Sequence, residues 1–203
     1  LIIGCGDIGI NLGRELLEEG HQVIGLRRNV EALKGTGIKP LKLDLNDLEE
    51  AGPKSLPQAD YVVYTVSADR FEESAYQSAY PEGLKRVLSV LEQHKTPPRR
   101  VFFVSSTSVH GQQEGEVVNE ETPPDSTSFS GTLMCEAEQA LINHSLPGTV
   151  IRFSGIYGPG RDRLIHQVAE GRVAAITPVV YSNRIHRDDC TGIIAHLIRY
   201  QES

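Results

Sequence analysis

The sequence predicts an α/β protein built on a doubly wound parallel sheet, and three observations carry that prediction. Apolar, strand-length runs alternate with helix-period stretches along the whole chain. The runs are apolar on both faces, as strands covered by helices on both sides must be. The first run ends in a glycine-rich turn that leads directly into a helical pattern. Right-handed crossovers, with that turn after the first strand, select the strand order 3-2-1-4-5-6.

The first strand, Leu1–Gly4, runs into Gly4, Gly6 and Gly9, spaced as G-x-G-x-x-G. Gly4 permits a tight turn, Gly6 lets a pyrophosphate approach the backbone, and Gly9 lets the following helix pack closely on the strand. That helix, Ile8–Glu19, carries Ile8, Leu12, Leu16 and Leu17 as an apolar stripe and ends at Gly20, a C-cap glycine. Its N-terminus offers unpaired N–H groups and the positive end of a dipole, which brings Asp7 and Ile8 into the expected dinucleotide site.

The second strand, Gln22–Leu26, ends in Arg27 and Arg28. An acidic residue at this position would hold a ribose 2′-OH, whereas arginine suits a 2′-phosphate, which a guanidinium can grip with two hydrogen bonds. The other reading is a solvated turn. Given the glycine turn upstream, the expected cofactor is NADP(H), with NAD as the alternative. A short helix, Asn29–Lys34, leads to strand Pro40–Leu43, after which Asp44 and Leu45 reach the rim where an adenine would sit. Asp44 equally suits the cap of a following helix. Strand Asp60–Val66 ends in Val66 and Ser67, small enough for the backbone to run close to the cofactor. Ser105, at the end of strand Val101–Ser105, is placed beside the cofactor with them.

Helices are expected at Pro81–His94, Gly131–His144, Asp162–Glu170 and Asp188–Tyr200, and strands at Thr149–Phe153 and, less distinctly, Ala174–Pro178. Between them Gly111–Ser130, rich in Gly, Glu, Pro, Ser and Thr, reads as a long surface loop of the kind that often carries function. Residues 1–153 form the expected NAD(P)-binding core. Residues 154–203 form a substrate-side segment packed on the same unit.

A chain of 203 residues can bury one substantial core. Its net charge of −7 argues against nucleic acid or an anionic membrane as partner. Cys5, Cys135 and Cys190 are odd in number and widely spaced, which suits a reducing cytoplasm, and the histidines have no zinc-motif spacing, so no metal site is expected. No stretch has the length of a membrane span or the form of a signal peptide. The expected partner is a small-molecule substrate, with a homodimer left open. Both ends read as clipped, since the chain opens inside its first strand without methionine.

Several segments, taken in order, resemble a known family. They are Gly4–Gly9, Val101-Phe-Phe-Val-Ser-Ser-Thr-Ser-Val-His-Gly111, Glu120-Glu-Thr-Pro123, Glu136-Ala-Glu-Gln139, Arg152-Phe-Ser-Gly-Ile-Tyr-Gly-Pro159 and Ile185-His-Arg-Asp-Asp189. Together they resemble the extended branch of the short-chain dehydrogenase/reductases, the NAD(P)-dependent epimerase/dehydratases, with a Rossmann fold. Ser128-Phe-Ser-Gly131 and Asn183-Arg-Ile-His-Arg-Asp188 are closer to its atypical, YeeZ-like subgroup.

The resemblance implies proton chemistry by a Ser/Thr and a Tyr-x-x-x-Lys pair, in which the lysine lowers the pKa of the tyrosine. It places Ser106 in the Ser/Thr position, where the hydroxyl holds a substrate oxygen or bonds local backbone. It places Ser130 in the tyrosine position and Met134 in the lysine position. Serine is far less acidic than a phenol of pKa about 10, and methionine carries no charge. The chain contains no Tyr-x-x-x-Lys elsewhere. His110, where relatives carry tyrosine, is an alternative acid or base, or a structural histidine; Glu120 or Glu121 could also fold back over the site. On the substrate side the resemblance points to Tyr157, Arg161 and Arg184, with Arg163 and Arg187 as further members of an anion site or of a solvated rim. Gly155 and Ser182 replace polar residues found in sugar-nucleotide relatives, which weakens the case for such a substrate. The remaining expectation is an NADP-dependent oxidoreductase or epimerase with a non-standard proton donor, or an idle NADP(H)-binding module.

Overall fold

A computed structural model describes residues 1–112, 114–172, 177 and 181–202. Six parallel strands form one sheet: β1 (Ile2–Ile3), β2 (Ile24–Arg27), β3 (Lys39–Lys42), β4 (Tyr61–Tyr64), β5 (Arg100–Ser106) and β6 (Gly148–Phe153). Their order is β3-β2-β1-β4-β5-β6, the expected doubly wound arrangement. Ile3 lies level with Leu26 on one side and Tyr64 on the other, and Tyr64 in turn with Phe103. The winding reverses between β1 and β4, which opens a crevice beyond their C-terminal ends.

Alternation along each strand divides the core in two. Ile2, Val63 and Phe102 face α1 (Asp7–Glu18) and α7 (Arg187–Glu202), packing with Leu12, Leu16, Ile194 and Ile198. Ile3, Val62, Tyr64 and Phe103 face α4 (Gly83–Leu91) and α5 (Phe129–Ile142), packing with Leu84, Leu88, Ala137 and Leu141. Each fully buried aliphatic or aromatic side chain contributes roughly 1.5–3 kcal/mol. This is why the strands read as unbroken apolar runs. Gly20 takes φ +89° just after α1, as a C-cap glycine does.

Some elements differ from expectation. The helix expected over Asn29–Lys34 contracts to a single tight turn, Glu31–Leu33, and a four-residue α2 (Leu48–Ala51) follows β3. The helix expected from Pro81 begins earlier, as α3 (Glu73–Gln77), and reaches α4 through a wide π-type turn at Ser78–Glu82. Pro81 sits inside that turn rather than at a helix start: it has no N–H to donate, so a bulge accommodates it where a regular helix would not. After β6, a second sheet of two short parallel strands, β7 (Gly155–Tyr157) and β8 (Arg184–His186), flanks α6 (Arg163–Ala169). The strand suggested at Ala174–Pro178 lies, but for Thr177, outside the described residues. Among the described residues no helix is long and apolar enough to cross a membrane.

Candidate functional site

The crevice at the β1/β4 switch point encloses about 400 Å³. Its floor is the turn after β1. Gly4 takes φ +80°, and a Cβ there would lie 2.6 Å from the backbone of Val66, so β1 and β4 meet at main-chain distance. A Cβ on Gly6 would meet only the Gly4 carbonyl, at 3.7 Å, which leaves the space above the turn open to a ligand. A Cβ on Gly9 would press on Ile2 at 2.9 Å, so this glycine sets the helix-to-strand distance. The three glycines thus differ in what surrounds them: a close strand at Gly4, open space at Gly6 and a packed helix at Gly9. Beyond Gly6 lie the first-turn N–H groups of α1, which have no partner inside the helix.

Arg27, Arg28, Asp44 and Leu45 line one side of the crevice, Val66, Ser67 and Asp69 the other, and Ala75, Ser78 and Ala79 the outer wall. The Tyr64 hydroxyl holds that wall by donating to the Ala79 carbonyl at 2.6 Å. Arg27 donates to the Cys5 carbonyl at 3.2 Å, while burial pushes the Cys5 thiol up to about 11. Arg28 does not stand free. It donates through Nη2 to both oxygens of Asp69, at 2.7 and 2.8 Å, across the crevice mouth, and this bond raises its pKa. Asp44 accepts from the Asn46 amide at 3.0 Å, the local capping role, while still lining the crevice.

Farther along the strand ends the side chains turn inward. Ser105 and Ser106 are adjacent on β5 and so point to opposite sides. The buried Ser105 hydroxyl donates to Glu138 at 2.6 Å, so its side chain faces the core between β5 and α5, a departure from its expected cofactor contact. Glu138, fully buried, also accepts from Arg152 at 3.0 and 2.7 Å, an arrangement that raises the arginine pKa. Arg152 Nη1 lies 3.4 Å from His110 Nε2; a guanidinium only donates, so the contact assigns the ring proton to Nδ1. Among the described residues that buried Nδ1 has no hydrogen-bond partner. Ser106 accepts from the Ser108 amide at 3.1 Å, the local alternative to holding a substrate oxygen. Ser130 and Met134, in the positions of the missing pair, are both buried.

The substrate-side residues separate. Tyr157 is half exposed and packs edge-on to His186, with ring centroids 5.2 Å apart. Arg184 covers Gly155, where a Cβ would stand 2.1 Å from its guanidinium. Arg161 reaches back instead to Asp7 in the glycine turn, at 2.8 Å, and Arg187 meets the same carboxylate at 3.2 Å. Asp69, Glu138, Arg152 and the Asp7 pairing are the interactions that sequence reasoning missed. Their partners are dozens of residues apart or more, except for Glu138 and Arg152, which lie 14 apart on adjacent elements. Among the described residues no group of three or more His, Cys, Asp or Glu side chains could hold a metal ion.

The model of the NAD dependent epimerase/dehydratase family matches residues 1–191. Protein YeeZ of Escherichia coli is 33% identical over 174 residues, covering 79% of this chain and 59% of that protein. The chain therefore spans about three-fifths of that relative's length. A solved structure from Methylobacillus flagellatus, provisionally described as an NAD-dependent epimerase/dehydratase, is 40% identical with a TM-score of 0.80, covering 99% of this chain and 70% of that one. Human epimerase family protein SDR39U1, solved with NADPH, shares the fold at 20% identity and a TM-score of 0.76, covering 100% of this chain and 70% of that one.

Proposed function

The chain belongs to the NAD dependent epimerase/dehydratase family, and from that premise we propose that it binds NADP(H) in the β1/β4 crevice. We propose further that it acts as an oxidoreductase or epimerase on a polar metabolite, sugar- or nucleotide-linked substrates included. The observation that carries the first part is the open space above Gly6, with two guanidinia at the end of β2. The donor set suits the cofactor. First-turn amides of α1 would hold the pyrophosphate, Leu45 would pack on the adenine, and Arg28 would exchange Asp69 for a 2′-phosphate. When bound, the nicotinamide supplies the hydride chemistry.

Proton handling falls to this chain's own residues. Ser106 would leave its bond to the Ser108 amide and hold the substrate oxygen. His110, its Nε2 turned to Arg152, would offer Nδ1–H as a hydrogen-bond donor to the substrate oxygen, a polarising role that keeps its own proton in place. Residues 154–203 would supply the substrate side through Tyr157 and Arg184.

A second reading, an idle NADP(H)-binding module, is favoured by the burial of Ser130 and Met134 and by the inward turn of Ser105. The discriminating test measures thermal shift and hydride transfer together. NADPH should raise the melting temperature more than NADH does, by ligand linkage. Equal shifts would remove the arginine pair from the reading. Ser106→Ala should then lower turnover on an identified substrate with NADPH binding intact; absence of turnover across a panel of polar alcohols and ketones would favour the idle module.

A further inference from the structure

Asp7 is an odd residue to find where it stands. It opens α1 in the turn whose amides would face a pyrophosphate, and a carboxylate there repels the group those amides attract. The structure supplies the answer from the far end of the chain. Arg161 donates through Nε to Asp7 Oδ2 at 2.8 Å, and Arg187 through Nη1 to Oδ1 at 3.2 Å. The two arginines arrive on different elements. Arg161 closes the turn after β7, its amide bonded to the Gly158 carbonyl at 2.9 Å, and Arg187 opens α7 directly after β8. Since β7 and β8 pair in parallel, both guanidinia sit at one end of the small sheet, and that end is fastened to the glycine turn through a single carboxylate.

The two guanidinia are engaged unequally. Arg187 also donates to Asp188 and to the Pro159 carbonyl, and its side chain is only 16% exposed. Arg161 is 36% exposed, and among the described residues neither of its terminal nitrogens has a recorded partner. The trio carries a net charge of +1 beside a helix start with unpaired amides.

We propose that Arg161 and Arg187 form a pyrophosphate clasp. In it Asp7 anchors the Nε edge of Arg161, and the free terminal nitrogens of Arg161 close on the phosphates, with Arg187 fixing the carboxylate from its other side. This rests on the dinucleotide reading above. It makes Arg161 a cofactor residue rather than a substrate residue, and it makes cofactor binding and docking of the β7–β8 pair mutually reinforcing. Because the pyrophosphate is common to both cofactors, the clasp is blind to the difference between NADH and NADPH. Arg28 is not.

The test is calorimetric titration of the chain with ADP-ribose, NADH and NADPH, in the wild type, Arg161→Gln and Asp7→Asn, with hydrogen exchange read over β7 and β8. Arg161→Gln is expected to weaken all three ligands about tenfold by the same factor, the scale of one lost charge-assisted bond. It should also abolish the exchange protection that ADP-ribose confers on these strands. Asp7→Asn should bind ADP-ribose within about twofold of wild type, or more tightly, because it removes the repulsion while keeping an acceptor for Arg161. The clasp is overturned if Arg161→Gln binds ADP-ribose like the wild type, or if it loses NADPH alone. It is also overturned if both variants lower the melting temperature alike with nucleotide affinity unchanged, since the trio is then a structural tie. A wild type that binds none of the ligands would instead sink the dinucleotide reading, and the clasp with it.

Discussion

The glycine-turn crevice and the C-terminal ends of β5 and β6 are built on opposite plans. At the β1/β2 end the decisive features are backbone: the close pass of Gly4 on Val66, the open face of Gly6 and the unpaired amides of α1. At the β5/β6 end they are side chains that bond to one another, Glu138 with Arg152 and Ser105, and Arg152 with His110. A backbone site tolerates wide sequence change, whereas proton transfer depends on one correctly placed acid. That contrast is how a glycine-turn crevice can stand in a chain that has no Tyr-x-x-x-Lys pair.

The strongest way to break the comparison is to cut the buried network. Glu138→Ala should cost about 3–5 kcal/mol by leaving Arg152 uncompensated beside the core, read by chemical denaturation. The thermal shift with NADPH should survive in the fraction that folds. Loss of that shift at unchanged stability would mean that the two ends are not separate. Gly4→Ala attacks the other end and should cost about 3 kcal/mol, through both the positive φ and the overlap with Val66, and should abolish the NADPH shift. Gly20→Ala is its control, since a Cβ there meets nothing within 4 Å and only the φ cost of about 1 kcal/mol applies. Equal losses in the two variants would discard the close pass as the cause.

Raising the pH sharpens the contrast more gently. Burial holds the Cys5 and Cys190 thiols up at about 11, so the fold favours their neutral form. The stability they confer is complete below the unfolded-state value near 8.5 and is lost as pH rises through about 11, by roughly 2 kcal/mol for each thiol. Denaturation midpoints that stay flat from pH 8 to 11 would contradict this. The smallest effect belongs to the crevice mouth. Arg28→Ala should lower NADPH affinity about tenfold with NADH unchanged, and Asp69→Asn should raise the NADPH preference a few-fold by freeing Arg28. An unmoved affinity ratio in both variants would make Arg28 and Asp69 a surface pair and nothing more.

How much of this was legible in the sequence depended on the range of the interaction. The sheet order could be read because both-faced burial leaves continuous apolar runs and because the glycine spacing marks the switch point. The pair β7–β8 could not, since three-residue strands leave no period to detect. Arg28 was identifiable as a crevice residue, but its clamp on Asp69, 41 positions away, was not. Ser105 and Ser106 show the same limit at the smallest scale. Neighbours on a strand face opposite ways, and nothing local says which of the two turns into the core. Asp44 took the capping role that its position before a short helix already allowed.

The π-type turn at Ser78–Glu82 has a consequence for the shape of the crevice. It contains Ser78 and Ala79 of the outer wall, and Ala75 stands on the α3 side of it. Its five residues, wound as a wide turn, carry the chain about as far around the axis as four would in a regular helix, so α3 and α4 stay in phase across it. Losing one residue there would flatten the bulge that carries Ser78 and Ala79 to the outer wall, while Ala75, α4 and the sheet kept their places. The contour of that wall is therefore set by one extra residue in a helix, a local dent that a deletion could remove without turning either flank.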